Sequence, residues 1–273
     1  MRAALTVMPR PERPSAAMMQ PFPPPGRRIW IGLPAYNEEA AIAALFPRFR
    51  ELFPDKTSAY RIVLYNDGCS DGTVAAALSW QNDLNVEVIG CDQNMGLGHG
   101  LRALVAHAAQ FGAPQDVLFI MDCDDTHHPR QIPQMFAALE TGCDVVIASR
   151  YRAGASVAGV AWHRRMLSLG AAVLFKLLHP CRGVLDYTCG YRGYRVGLLQ
   201  KARAAYGERL VCEPGFACMV ELLLKLDRLG ARMGEIPLAL RYDLKHGASK
   251  MDVGGTTRRL LKKLVAWRIH GLK

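Results

Sequence analysis

Two carboxylates stand two residues apart where an apolar run ends, in FIMDCDDTHHP. Side chains alternate between faces on an extended segment, so Asp122 and Asp124 project from one side and Asp125 from the other. Like charges held that close at the end of a buried strand are costly unless something positive sits between them. A site offering only one or two carboxylates suits Mg2+ or Mn2+ shared with a substrate's phosphates. A metal with a diphosphate is therefore the economical reading of the pair. Its bland counterpart is an acidic turn before a helix that opens at Pro129. His127 and His128 are expected to hydrogen-bond around the turn rather than to ligate.

Three further apolar runs end in polar groups: Pro34-Ala35-Tyr36-Asn37-Glu38-Glu39, Asn66-Asp67-Gly68-Cys69-Ser70-Asp71-Gly72-Thr73, and Ser149-Arg150-Tyr151. Ligands of an open parallel sheet bind just beyond the carboxyl ends of its strands, so these ends together predict one rim. Singly they are weak, because Asn, Asp and Gly after a strand are ordinary turn and cap residues; Asn37, Glu39 and Asp71 need no other role. The segment NMGLGHG, 94–100, has the form GxGxG, with Leu101 where a dinucleotide loop has its last glycine. It also follows the third strand rather than the first, so it is expected to be a turn that permits close packing.

The elements that must position these groups follow from periodicity. The runs IWIGLP, RIVLYND, VEVIGC, DVLFIMD and DVVIASR alternate with the helix-like AAIAALFPRFRELF, GTVAAALSWQ, GHGLRALVAHAAQF and PRQIPQMFAALETG. That alternation predicts an α/β fold with a mostly parallel central sheet flanked by helices. Pro47 and Pro133 should kink a helix or begin a turn. From about residue 150 come a helical stretch at 163–179, a Gly- and Tyr-rich connection DYTCGYRGYR, a helix near 215–229 and a short strand EIPLAL, elaborating the sheet.

The last segment, TTRRLLKKLVAWRIHGLK, is a basic amphipathic helix. It places Leu260, Leu261, Leu264, Val265 and Ile269 on one face and Arg258, Arg259, Lys262 and Lys263 elsewhere, with Trp267 near the boundary. Such a helix either covers the body or docks on a membrane surface.

The 273 residues, half of them apolar, can bury an ordinary core without disulfides or a structural metal. The eight cysteines show no CxxC pair and no signal peptide precedes them, so they are expected to be reduced residues of a cytosolic protein. No run of 18 apolar residues exists to span a bilayer. The net charge of +10 sits in the ends: residues 1–28 carry five Lys/Arg and one acid, and 253–273 carry six and none. Between them, 29–146 has 6 basic and 15 acidic residues, and 147–252 has 17 and 8. The expected organisation is a disordered Pro-rich leader over 1–28, a domain over 29–252 whose acidic half, 29–146, and basic half, 147–252, face different chemistry, and the helix 253–273.

In this order, PAYNEE, NDGCSDGT, NMGLGHG, the MDCDD turn and ASRY resemble the inverting family 2 glycosyltransferases of GT-A fold. DYTCGYRGYR, Glu221 in FACMVELLLKL and HGASKM extend the resemblance to the branch of dolichol-phosphate mannose synthase and bacterial polyprenyl-phosphate glycosyltransferases. The resemblance implies that Pro34, Tyr36, Glu38, Tyr65, Asp67, Cys123 and Thr126 surround a nucleotide sugar, linked to GDP or UDP. It implies that Asp122 and Asp124 hold the diphosphate and a Mg2+ or Mn2+, and that Arg150, Arg164, Ser168 and Lys250 meet an acceptor phosphate. Thr126 stands where mannose synthases tend to have Gln, and Leu244 where an Arg precedes their Gly-x-Ser-Lys; Arg241, Lys245 or Lys250 are the substitutes at hand.

The implied reaction is transfer of a sugar to a polyprenyl phosphate by an enzyme peripheral on the cytoplasmic membrane face, with no nucleic-acid partner. The charge partition agrees, since an acidic half can hold a cation and a basic half an anionic acceptor. A phosphate acceptor, with a second pKa of about 6, needs no protein base. A hydroxyl acceptor on a glycan or lipid would need one, from Asp125, Glu221 or Asp243. If buried, Glu221 would either carry a raised pKa, which suits a proton acceptor, or pair with an arginine such as Arg192. Two rivals remain: a nucleotidyltransferase, which should show a glycine-rich loop after the first strand where PAYNEE has none, and a non-catalytic membrane-surface protein on the same fold.

Overall fold

Apolar runs too rich in Val, Ile and Leu to leave either face in water become the inner strands of one sheet. The computed structural model describes residues 22–158, 170, 172–241 and 253–272. Its strands are β1 (Ile29–Ala35), β2 (Tyr60–Asp67), β3 (Val86–Cys91), β4 (Val117–Ile120), β5 (Val145–Ser149), β6 (Ser156–Ala158), β7 (Arg192–Arg195), β8 (Met233–Pro237) and β9 (Ala239–Arg241). The helices are α1 (Glu39–Leu52), α2 (Thr73–Leu78), α3 (Leu97–Phe111), α4 (Ile132–Glu140), α5 (172–178), α6 (Val196–Tyr206), α7 (Ala217–Arg228) and α8 (Val253–His270).

Seven strands form the main sheet in the order β3-β2-β1-β4-β7-β5-β8, and β6 pairs with β9 in a small second sheet. β1 lies parallel between β2 and β4, while β7 runs antiparallel to both β4 and β5. The parallel sheet flanked by helices was legible in the sequence; β7 was not. It is the RGYR of a stretch expected to be a connection, four residues without a β-branched side chain. Arg192, which looks like a surface residue, is fully buried there and donates to the carbonyls of Cys189, Met219 and Tyr187. The acidic and basic halves thus share one sheet, with β7 of the second half inserted between β4 of the first and β5, which spans their boundary.

Other boundaries also move. α1 runs through Pro47 without breaking. Pro133 sits in the first turn of α4, where its missing N–H costs no helical bond. Residues 22–28, assigned to the leader, are attached to the body: the Phe22 ring stacks on Phe53 at 6.2 Å, and Arg28 N–H donates to Asp116 at 2.9 Å. In α8 the buried stripe is Leu260, Leu264 and Trp267, so Trp267 faces the core rather than the boundary. Val265 and Ile269 are exposed instead. Each buried apolar side chain contributes about 1.5–3 kcal/mol, so α8 covers the core as well as presenting an outer face.

Candidate active site

The first two strand ends brace one another across the rim. Asn37 takes a left-handed conformation at φ 54°, and its Oδ1 accepts from Ser70 N at 2.8 Å. Glu39 accepts from Gly72 N at 3.0 Å, and Asp71 accepts from Glu39 N and Thr73 N. Burial would raise the Asp71 carboxyl, but the Thr73 hydroxyl, which also donates to it, and these amide hydrogen bonds outweigh it and hold it below the ordinary carboxylate value. Asn37, Glu39 and Asp71 are therefore turn and cap residues, as their types suggested. Pro34 and Glu38, both half-buried, and Tyr36, exposed, remain on the rim.

At the end of β4 the alternation expected from sequence holds residue by residue: Asp122 and Asp124 are part-exposed, while Cys123 and Asp125 between and beside them are buried. The turn that follows is built from side chains. Asp125, left-handed at φ 63°, is ion-paired with Arg48 of α1. Thr126 donates its hydroxyl to Asp124 Oδ1 at 2.7 Å. Asp122 N–H donates to His127 Nδ1 at 3.2 Å, and the His127 ring stacks on Tyr191 at 5.0 Å. His128 Nδ1 accepts from Arg130 N at 3.1 Å; burial, then Arg48 and Arg130, lowers its pKa and favours the neutral ring. Both histidines are thus hydrogen-bonding residues of the turn.

Asp122 and Asp124 offer hard oxygens on one side of the rim, and among the described residues no group of three or more His, Cys, Asp or Glu side chains could hold a metal by itself. That donor set fits Mg2+ or Mn2+ completing its shell with diphosphate oxygens rather than a cage of protein ligands.

The opposite wall is the DYTCGYR segment. Gly190 lies against Asp122: a Cβ there would sit 3.3 Å from Asp122 Oδ1. The segment is pinned by two buried carboxylates. Glu235 accepts from Leu185 N at 2.6 Å, Asp186 N at 2.7 Å and Arg152 Nε at 2.9 Å. Asp186 receives Arg150 through Nε at 2.8 Å and Nη2 at 2.7 Å, and Arg150 Nη2 also reaches Thr188 Oγ1 at 2.5 Å. Burial would raise the Asp186 carboxyl; the Arg150 charge and its hydrogen bonds prevail and hold it below the usual carboxylate range. Arg48 and Glu235 escaped the sequence reading, and Asp186 and Gly190 entered it only within the motif DYTCGYRGYR, without a role. Their partners lie dozens of residues away, and no local spacing signals them.

Several residues expected at the donor or acceptor are engaged with other parts of the protein. Tyr65, 2% exposed, is turned under α3, its hydroxyl between His99 Nδ1 and Cys91 Sγ. Cys123 and Thr126 are buried beneath the acidic pair. Asp67, at the edge, accepts from Met95 N at 2.8 Å and Gly96 N at 3.0 Å, so it shapes the glycine turn. Glu221 is not paired with Arg192. It is ion-paired with Lys225 at 2.7 Å and accepts from Cys212 N and Glu213 N, both at 2.8 Å. Asp125 and Glu221 are thus both engaged as braces. Arg164, Ser168, Asp243, Leu244, Lys245 and Lys250 lie outside the described residues.

Comparison with known proteins matches the model of the family Glycosyl transferase family 2 over residues 30–203. A polyprenol monophosphomannose synthase of Mycolicibacterium smegmatis is 29% identical over 249 residues, covering 90% of this chain and 89% of that protein. An undecaprenyl-phosphate mannosyltransferase of Micrococcus luteus is 28% identical over 241 residues, covering 88% and 93%. Among solved structures, glucosyl-3-phosphoglycerate synthase from Mycobacterium tuberculosis with Mn2+, uridine diphosphate and glucosyl-3-phosphoglycerate has a similar fold. Its TM-score is 0.65 at 24% identity, covering 88% of this chain and 80% of that one.

Proposed function

Because the chain belongs to glycosyltransferase family 2 and has the GT-A fold, we propose that it moves a sugar from a nucleoside diphosphate to a polyprenyl phosphate. The observation that carries the reading is the half-exposed Asp122 and Asp124 pair, set on the rim with Gly190 against Asp122. Two relatives covered along most of their length, both named for mannosyl transfer to polyprenyl carriers, support the acceptor class and make mannose the first sugar to test.

Asp122 and Asp124 would hold Mg2+ or Mn2+ together with the diphosphate; when bound, that cation offsets negative charge developing on the leaving group. Pro34, Tyr36 and Glu38 line the donor's side of the rim. Arg150, oriented by Asp186 and Thr188, is the described arginine offered to the acceptor phosphate. A phosphate oxygen attacks the anomeric carbon from the face opposite the diphosphate, the bond to the diphosphate oxygen breaks, and the configuration inverts. The acceptor, with a second pKa of about 6, is already largely ionised at neutral pH, so Asp125 and Glu221 can serve as braces without loss of chemistry.

A lipid acceptor requires approach to a membrane, and among the described residues no helix is long and apolar enough to cross one. Peripheral docking is the reading we favour, on the cytoplasmic face. α8 exposes Val265 and Ile269 beside Arg258, Arg259, Lys262 and Arg268, and α5 exposes Val173, Leu177 and Lys176. His179, next to α5, bonds the Leu264 carbonyl through Nε2 at 3.0 Å and joins the two helices. Each basic residue near anionic lipid adds about 1 kcal/mol of attraction.

The test is a panel of GDP- and UDP-sugars with Mg2+ or Mn2+, scored for transfer to a short polyprenyl phosphate. Metal-dependent formation of an inverted sugar phosphate is expected. Transfer only to polyprenol or a glycan hydroxyl would overturn the acceptor assignment, and donor binding without turnover would make the chain a binding protein.

A further inference from the structure

The glycine turn 94–100 does not stand alone. Gly98 N–H donates to the Pro214 carbonyl at 2.8 Å, and a Cβ at Gly98 would lie 1.8 Å from the Glu213 carbonyl oxygen. Only glycine lets the segment before α7 approach so closely. The other side of the same turn is held by Asp67, so residues 95–98 are clamped between the end of β2 and residues 213–214.

Residues 213–214 are fixed from two directions. From the core, Glu221 accepts the amides of Cys212 and Glu213, while Lys225, paired with Glu221, reaches the Arg209 carbonyl. From outside, Lys263 of α8 pairs with the Glu213 carboxylate at 2.6 Å, with Glu213 only 14% exposed. α8 is itself seated by its buried stripe and by Arg228, which donates to the Leu272 carbonyl at 3.0 Å. Lys263 is therefore presented to Glu213 by an anchored helix.

We propose that Lys263 is a positioning residue for the nucleotide-sugar side of the rim, acting through Glu213 and Pro214 on the turn 95–98. This rests on the donor site proposed above and assigns α8 a role inside the catalytic body besides covering the core and facing lipid. Lys263 touches no reacting atom. Its contribution is to keep the Gly98–Pro214 bond, and with it the turn that Asp67 grips, in one arrangement.

The experiment uses the full chain as Lys263→Glu, Lys263→Arg, Glu213→Lys and the double exchange Glu213→Lys/Lys263→Glu. Amide hydrogen exchange without any nucleotide reads the turn directly. Lys263→Glu should speed exchange at Met95–Gly98 by about three- to fivefold, in keeping with the modest strength of a half-exposed pair, and Lys263→Arg and the double exchange should restore it. In transfer assays with detergent-dispersed acceptor, donor KM should rise by a similar factor while kcat and acceptor KM hold. Unchanged exchange at 95–98 in Lys263→Glu, a rise confined to acceptor KM, or a double exchange that fails to restore would overturn the coupling. Absence of donor binding by the unaltered chain would instead overturn the function proposed above and leave the exchange result to stand.

Discussion

At the scale of single residues, carboxylates of one chemical type have been given different duties by exposure and partner. Asp124 is half-exposed beside Asp122, whereas Asp125 is buried against Arg48 and Glu221 is buried against Lys225. Asp124→Ala should lower metal-dependent transfer by about a hundredfold or more, since it removes charge stabilisation at the leaving group, while circular dichroism and thermal unfolding stay near those of the unaltered chain. Full retained activity would remove Asp124 from the metal site. Glu221→Gln should behave in the opposite manner. Leaving Lys225 buried without its partner costs about 3–5 kcal/mol, read as a drop in urea midpoint. The shape of the pH–rate profile should persist in the folded fraction, because Glu221 accepts backbone amides rather than a substrate proton. Loss of one limb of that profile would restore it as a base.

At the scale of elements, the wall opposite the acidic pair depends on Asp186 and Glu235 rather than on a strand or helix of its own. Asp186 has a folded-state pKa held below its unfolded value of about 3.9, so the stability it contributes is complete above that value and is lost as pH falls through the folded pKa. Asp186→Asn should cost about 1.5–3 kcal/mol at neutral pH, the worth of hydrogen bonds to a charged group. Urea unfolding at several pH values should show the variant losing less stability than the unaltered chain below about pH 4. Parallel curves would mean that Arg150 draws no net stability from this carboxylate. The same variant should raise acceptor KM, since Arg150 loses its orientation.

At the scale of the whole molecule, α8 has two faces with separable consequences. Deleting 256–273 would remove the buried stripe Leu260, Leu264 and Trp267 together with the exposed face proposed to meet the membrane, so the two roles could not be told apart. Val265→Glu with Ile269→Glu leaves the buried stripe in place. It should keep the thermal midpoint within a few degrees, weaken sedimentation with anionic vesicles, and lower activity on long-chain more than short-chain acceptors. Unchanged vesicle binding would confine α8 to covering the body and bracing Glu213.

The sequence by itself determined the strand-and-helix alternation, the rim, the Asp122 and Asp124 pair, and the close-packing role of NMGLGHG. Each of these rests on local regularities: a period of two in strands, turn and cap residues after them, and glycine where backbones meet. Only the tertiary structure decided that Arg192 to Arg195 form a strand, that Tyr65 turns under α3, that Glu221 pairs with Lys225, that Arg48, Asp186 and Glu235 hold the walls of the rim, and that Lys263 reaches Glu213. Those assignments depend on partners brought together across dozens of residues, or on which face of an element the core claims. Residue type and spacing along the chain do not encode that choice, because the same Arg, Glu or Tyr is satisfied equally by solvent until packing removes it.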